Sequence, residues 1–264
     1  MINSMQTAII KKDFMSMISN KRLFPVLLIV PLIFTIVVPT IFILSIHFVP
    51  QEELGDFRQL LDMMQLVQPL DDIDTALMSL ILNNVMPLFF VLIPIMAATV
   101  MAASSFVGEK EKRTLETLLY CPLSLKQIFH SKVWASFLVS MSVSFVSFIL
   151  MMVVLELEIL LVTGSMLAPD ISWLVIMLFV SPSVSLLAIT LIVGGSAKAQ
   201  TVEESQQRSV FLILPVLFLA IGQFAGILLI NALYLLVVGV IFSGLAFVFL
   251  KRSMRNFTYE LLLR

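Results

Sequence analysis

Charge is scarce in this chain. Of 264 residues only 12% are Asp, Glu, Lys or Arg, whereas 60% are hydrophobic and the mean hydropathy is +1.08. A water-soluble domain of this size could not bury so much apolar surface, so lipid is the expected solvent. The net charge of −1, without a basic patch interleaved with aromatics, excludes nucleic acid as a partner. Cysteine is nearly absent. Cys121 stands alone, which rules out an internal disulfide, and its place in a charged loop fits a reducing compartment. There are two histidines, His47 and His130, far apart in the layout of the chain, and neither HExxH nor CxxC occurs, so no metal site is expected. The phosphate-binding pattern G-x-x-x-x-G-K-[ST] is also missing, since Gly194-Gly195-Ser196-Ala197-Lys198 has neither its spacing nor its strand–loop–helix setting. No serine has the glycine-flanked setting of a nucleophile elbow. The chain should therefore not be an enzyme and should carry no cofactor, and energy for any work must come from another chain.

Long apolar runs are plentiful. A membrane span needs about 20 apolar residues, and six runs fit: 23–49, 80–107, 133–155, 172–195, 209–229 and 230–250. The first is too long for a signal-peptide core and is broken by Pro25, Pro31 and Pro39, so no cleavable leader is expected. Those prolines predict kinks, with the freed carbonyls covered by neighbouring helices. The last two spans divide one uncharged stretch. Lys198 and Arg208 precede it, Lys251, Arg252 and Arg255 follow it, and Gly226 and Asn231 mark the turn between. Of the 16 basic residues only Arg58 then falls on the outer side, which predicts that both termini are cytoplasmic. The expected fold is an all-α polytopic membrane protein, one domain over residues 1–264. No ionisable residue lies well inside a span, which argues against a proton- or ion-coupled carrier.

Between the spans the pattern is informative. In 4–20, Ile10, Phe14, Met17 and Ile18 form an apolar stripe opposite Lys12, Asp13, Ser16 and Asn20, predicting an interfacial helix within residues 1–22. The outer segment 50–79 carries Glu52, Glu53, Asp56, Asp62, Asp71, Asp72 and Asp74, with Leu54, Phe57, Leu60, Leu61 and Met64 along one face. It reads as an external helix with a solvated acidic face, because Asp71-Asp72-Ile73-Asp74 lacks the glycine and ligand spacing of a calcium loop. In the third span Ser136, Ser140, Ser144 and Ser147 share one side, suiting close helix packing or the lining of a path. Glu156, Glu158 and Asp170 follow it on the outer side, and the run 159–162 either extends the helix or dips into the interface. Gly222 and Gly226 form a small-xxx-small pair, and the basic tail 251–264 should meet anionic headgroups.

The densest charge lies in 106–132, which contains the expected cytoplasmic loop 108–132. Gly108 reads as a helix break, after which 109–120 forms a short amphipathic helix. Leu115, Leu118 and Leu119 line one face, with Glu109/Arg113 and Lys112/Glu116 paired on the other. Cys121-Pro122 stops it, and Ser124 with Gln127 fits a capping box that starts a second helix running toward Trp134. Such a helix either lies on the headgroups or docks a soluble partner.

The residues Glu109-Lys110-Glu111, Thr114-Leu115-Glu116, Leu118-Leu119, Pro122 and Ser124 resemble the first cytoplasmic loop of ABC transporter permeases of the ABC type-2 (export) family. Arg113 departs from the glycine that many members have there. The resemblance implies that the loop contains the coupling helix that contacts a separate ATPase subunit, which binds ATP-Mg. It assigns that contact to Glu109, Lys110, Glu111, Lys112, Arg113, Thr114, Glu116 and Thr117. The segment before the fifth span also resembles the family's, which makes Glu203, Glu204 and Arg208 a second candidate contact or an ordinary connector. The stretch before the first span takes the position of the family's interfacial elbow helix. The implied partners are ABC ATPase subunits, a second permease copy or a related permease, and membrane lipid, in a prokaryotic plasma membrane. The implied function is ATP-driven export of a peptide, drug, lipid-like molecule or ion. The competing class is a membrane scaffold or sensor subunit that docks a soluble partner without moving a substrate.

Overall fold

The computed structural model of the chain describes residues 4–21, 23–48, 78–112, 114, 122–164, 166–196, 199, 201–207, 210–224 and 232–256. Among them every regular element is a helix. Helix α1 is Ser4–Ser19, and α2 comprises Leu23–Leu32, a π-helical turn Ile33–Val37, and Val38–Phe48. Next come α3 (Met78–Glu111), α4 (Leu125–Thr163) and α5 (Ile171–Ser196). A short α6 (Val202–Gln207), then α7 (Val210–Phe224) and α8 (Ala232–Asn256) complete the order.

Five of these helices are long and apolar enough to cross a membrane: Leu27–Ser45 within α2, then α3, α4, α5, and Ala232–Arg255 within α8. The run expected at 209–229 contributes α7, whose described part has 15 residues. The expected turn at Gly226 and Asn231 lies outside the described residues, as does 50–77 of the expected external segment. Its last two residues, Met78 and Ser79, begin α3.

The bundle is built around α3. It packs against α2, α4, α5, α6 and α7, while α5 also carries α8, and α1 lies across α4. Within α3, 89% of the most apolar window is buried, against 17% in α8. Lipid tails are as apolar as leucine, so burial supplies little drive for helix association inside a bilayer. Close packing must supply it. The sequence of α3 suits this: Ala97, Ala98, Ala102, Ala103 and Ser105 are all buried and small enough for neighbouring backbones to approach. The leucines, isoleucines and phenylalanines left exposed on α2, α4 and α8 form the face expected toward lipid.

Prolines shape the helices in two ways. Pro31, Pro94 and Pro215 sit inside ordinary α-helix. Pro39, Pro87 and Pro182 each follow a π-helical turn, Ile33–Val37, Ile81–Val85 and Ile176–Val180. In each turn an i→i+5 bond closes the wider ring, from Val38 N–H to Ile33 O, Met86 N–H to Ile81 O and Ser181 N–H to Ile176 O. Proline lacks an N–H and its ring clashes with the carbonyl four residues back, so one extra residue in the turn moves that carbonyl aside. In the wider register Leu82 O faces the missing donor of Pro87, and the indole Nε1–H of Trp173 donates to it at 3.0 Å. The chain thus corrects its own backbone before calling on a neighbouring helix. Trp173 is itself held edge-on by Phe90 and Phe148, with centroids 5.9 and 5.8 Å away.

Three sequence expectations change. Gly108 does not break the helix: it has no positive φ, and α3 continues through it to Glu111. A mid-helix glycine costs about 1 kcal/mol relative to alanine, and here it is buried against Val202 of α6, whose methyl would lie 3.6 Å from an added Cβ. Residues 109–111 of the expected amphipathic helix therefore belong to α3, and Arg113 and 115–121 lie outside the described residues. Second, the loop helix and the third span form one helix of 39 residues, α4. At 1.5 Å per residue it is about 58 Å long, far beyond a hydrocarbon core of about 30 Å. The capping box starts it, Ser124 Oγ accepting from Gln127 N–H at 3.3 Å and Gln127 Oε1 from Ser124 N–H at 2.9 Å. Gly164 ends it in the left-handed conformation, φ 72°, so the run 159–162 extends the helix. Third, α1 buries Ile9, Asp13 and Met17, leaves Phe14 exposed and Ile10 half-buried, and so puts an acid on its inner face.

Candidate functional site at the basic end of the bundle

That acid leads to the site. Where α1 crosses the ends of α3 and α4, four charged side chains meet. Lys132 of α4 is only 2% exposed. Its Nζ donates to Ser105 O, lies 3.3 Å from Ser105 Oγ and 3.5 Å from Asp13 Oδ2, and sits 3.3 Å from Glu109 Oε1. Ser105 Oγ in turn donates to Asp13 Oδ2 at 2.6 Å. Lys12 reaches Glu109 Oε1 from the exposed side at 2.6 Å. The Lys132 ammonium also lies 5.7 Å from the centroid of the Phe106 ring.

The arithmetic of charge is balanced: two lysines face two carboxylates. Burying an isolated ion costs several kcal/mol, and only mutual pairing with added hydrogen bonds offsets it. Lys132 meets that condition by touching both carboxylates, a hydroxyl and a carbonyl. Because Asp13 belongs to α1, Glu109 to α3 and Lys132 to α4, a single ammonium holds three helices together. Glu109 Oε2 is buried without a hydrogen-bond partner among the described residues.

Glu109 sits in the last turn of α3, from which the charged loop departs. Lys112 N–H and Thr114 N–H return to Gly108 O and Glu109 O at 3.1 and 2.9 Å, turning the chain out of the helix. Glu111 Oε2 accepts from Val202 N–H at 3.2 Å, at the start of α6, and Glu204 N–H is capped by Thr201 Oγ1 at 3.1 Å. The two segments singled out as contacts therefore touch each other: the root of the first loop is bonded to the helix that bears Glu203 and Glu204.

The sequence-predicted residues separate by exposure. Glu111, Lys112, Thr114, Glu203 and Glu204 are exposed and Lys110 is half-buried, so all six line an accessible surface. Glu109 is buried and faces inward. Arg113, Glu116, Thr117, Arg208 and Gly226 lie outside the described residues, and Gly222 is half-buried in α7. Ser136, Ser140, Ser144 and Ser147 are all buried on α4. Ser140 joins three helices, donating to Pro94 O of α3 at 3.0 Å while Ser185 Oγ of α5 stands 3.0 Å away. Ser136 and Ser144 donate to the carbonyls of Lys132 and Ser140 on their own helix.

Sequence reasoning missed Asp13 and Lys132 as interior groups. A signal for Lys132 was present. The serine stripe 144, 140, 136 continues back by four to 132, so the lysine shares the buried face. Asp13 lies midway between Ile9 and Met17 at the same spacing. At the other end of the bundle, Glu158 of α4 accepts from Thr40 of α2, and Asn83 Oδ1 accepts from Asp170 N–H at 2.8 Å.

With this arrangement established, comparison with known proteins is decisive at the family level. The family described as ABC-2 family transporter protein matches residues 7–235. The chain belongs to that family. None of the curated proteins matches it. Family and apolar helices together make it a multi-pass membrane protein, a membrane component of ABC transporters.

Proposed function

We propose that the chain is the permease subunit of an ATP-driven exporter, working with separate ATPase subunits and paired with a second copy or a related permease. Both termini and the basic end of the bundle face the cytoplasm of a prokaryotic cell. The observation that carries the reading is the cluster around Lys132. It locks the root of the charged loop, through Glu109, to both the interfacial helix and the longest span. A push received on the exposed residues Glu111, Lys112 and Thr114 reaches α3 and α4 as a rigid displacement, because the buried charges cannot separate cheaply. As α3 is the hub of the bundle, a shift at its end repacks every helix around it and changes which side of the membrane the path opens to. Glu203 and Glu204, joined to the same root through Glu111, belong to the same contact surface. The cargo is a peptide, a drug, a lipid-like molecule or an ion.

The test is purification of the chain with its ATPase partner. Glu116→Lys combined with Glu203→Lys should weaken the complex, most at low ionic strength, and uncouple ATP hydrolysis from transport. Glu109 and Glu111 are left unchanged because the burial of the first and the bond of the second to Val202 N–H would confuse docking with folding. A charge-reversed complex with wild-type hydrolysis and full transport would remove the loop from the mechanism. A complex that forms normally while no substrate alters hydrolysis or crosses the membrane would favour a scaffold or sensor subunit.

A further inference from the structure

We propose that the groove between α1, α2 and α4 binds one acyl chain of an anionic phospholipid, whose headgroup rests on the basic residues of α1 and of the turn that follows it.

The groove is a cavity of about 210 Å³ lined by Phe14 and Met17 of α1, Leu28 and Pro31 of α2, and Val143 and Val146 of α4, among others. Its wall on α4 runs from Val139 to Leu150. Eleven steps of 1.5 Å make that wall about 16 Å long, along the helix axis and so across one leaflet. Two hydroxyls also line it, Ser142 and Ser147; that of Ser142 is taken up, donating to Leu138 O at 2.8 Å, which leaves Ser147 as a single polar group in an otherwise apolar wall. Water entering such a space would find too few polar partners to stay. Leu28, Leu32, Val146 and Leu150 at its edges are exposed on helices that cross the membrane, so the groove opens sideways into hydrocarbon. A narrow, elongated, apolar space of this kind fits a linear chain.

Charge at the mouth selects the headgroup. Phe14 and Met17 close the groove at its basic end. Lys11 is exposed one helical turn before Phe14, and Lys21 is exposed in the turn between α1 and α2, three residues before Phe24, which also lines the groove. The sole acid in residues 4–21 is Asp13, and it is buried against Lys132. The exposed face of α1 therefore presents positive charge directly above an apolar slot. Each lysine near an anionic lipid surface contributes about 1 kcal/mol, and the choline cation of a zwitterionic headgroup offsets that attraction, so the two lysines give a preference of roughly tenfold or more for anionic over zwitterionic lipid.

The experiment is native mass spectrometry of the purified full-length chain, delipidated and then titrated with phosphatidylglycerol or phosphatidylcholine of equal chain length. One phosphatidylglycerol should be retained at roughly tenfold lower lipid concentration than phosphatidylcholine. Val143→Trp, which fills the groove, should abolish that retained lipid. Val153→Trp, at an exposed position farther along α4, should keep it and so controls for the bulk of the new ring. Lys11→Gln with Lys21→Gln should erase the preference between the two lipids while leaving an acyl chain bound. Equal retention of both lipids by the wild type, undiminished retention in Val143→Trp, or a pair of chains cross-linked through Val146→Cys in lipid, with Cys121 replaced by Ser, would each overturn the proposal. Inorganic phosphate displacing the lipid would overturn it as well, since the groove would then contribute nothing.

Discussion

At the scale of residues, the molecule turns on one buried lysine. Lys132 contacts Asp13 and Glu109 at once, and neither carboxylate has a second buried cation among the described residues, Lys12 being half-exposed. Lys132→Met would leave two interior carboxylates facing one another across the space the ammonium held. Removing one partner of a buried ion pair costs about 3–5 kcal/mol, so the variant should lose thermal stability in detergent. Asp13→Asn alone keeps the hydrogen bond from Ser105 and removes one negative charge. Added to Lys132→Met, it should recover part of the lost stability, and the double-mutant coupling should be favourable. A double variant no more stable than Lys132→Met would mean that Asp13 does not sense the lysine. Met is the chosen replacement because it retains an apolar side chain of similar length, so the comparison reads the loss of the ammonium, including its contact with the Phe106 ring, with little change in packing.

At the scale of elements, the turns before proline matter more than the prolines themselves. Pro87 and Pro94 lie in the same helix, yet only Pro87 follows a π-helical turn, and only there does a tryptophan from another helix complete the backbone. Replacing Pro87 by Ala restores an N–H, allows ordinary i→i+4 bonding through 81–85, and supplies Leu82 O with a local donor. Trp173 then loses its acceptor. In a Trp134→Phe background, which leaves one of the two tryptophans, the indole N–H resonance of Trp173 should move upfield in Pro87→Ala and stay in place in Pro94→Ala. An unmoved resonance in Pro87→Ala would show that the turn is held open by packing and not by the missing donor. Element boundaries show the same division between local and tertiary causes. The capping box at Ser124 and Gln127 was legible because both partners lie within one turn. The continuation of α3 through Gly108 was not, because the surroundings it packs into include Val202, 94 positions away in the sequence. Likewise Asp13 reads as polar and outward in isolation, and only the arrival of Ser105 and Lys132 from two other helices makes an inward position tolerable.

At the scale of the whole molecule, the apolar runs made the helical membrane class readable, because no other solvent accommodates them, and the charged loop made the family readable. What lies between those levels, which faces meet and which charges pair inside, depends on contacts between helices; the i, i+4 stripe places Lys132 on the buried face of its own helix but does not name its partners. Orientation is the remaining global property, and the proposed one rests on the distribution of lysine and arginine, which favours basic segments on the cytoplasmic side. Lys126, at the start of α4, and Met166, in the connection after it, are both exposed and lie at opposite ends of a helix about 58 Å long. With Cys121 replaced by Ser, a chain bearing Lys126→Cys should be untouched by a membrane-impermeant maleimide on intact cells and labelled after permeabilisation. Met166→Cys should be labelled on intact cells. The reverse pattern would place the loop and α6 outside, where ATP is absent, and no coupling through Glu111 could then operate. Labelling of both positions on intact cells would mean that α4 does not cross the membrane. The same pair of cysteines therefore tests the orientation and the span together, before any cargo is known.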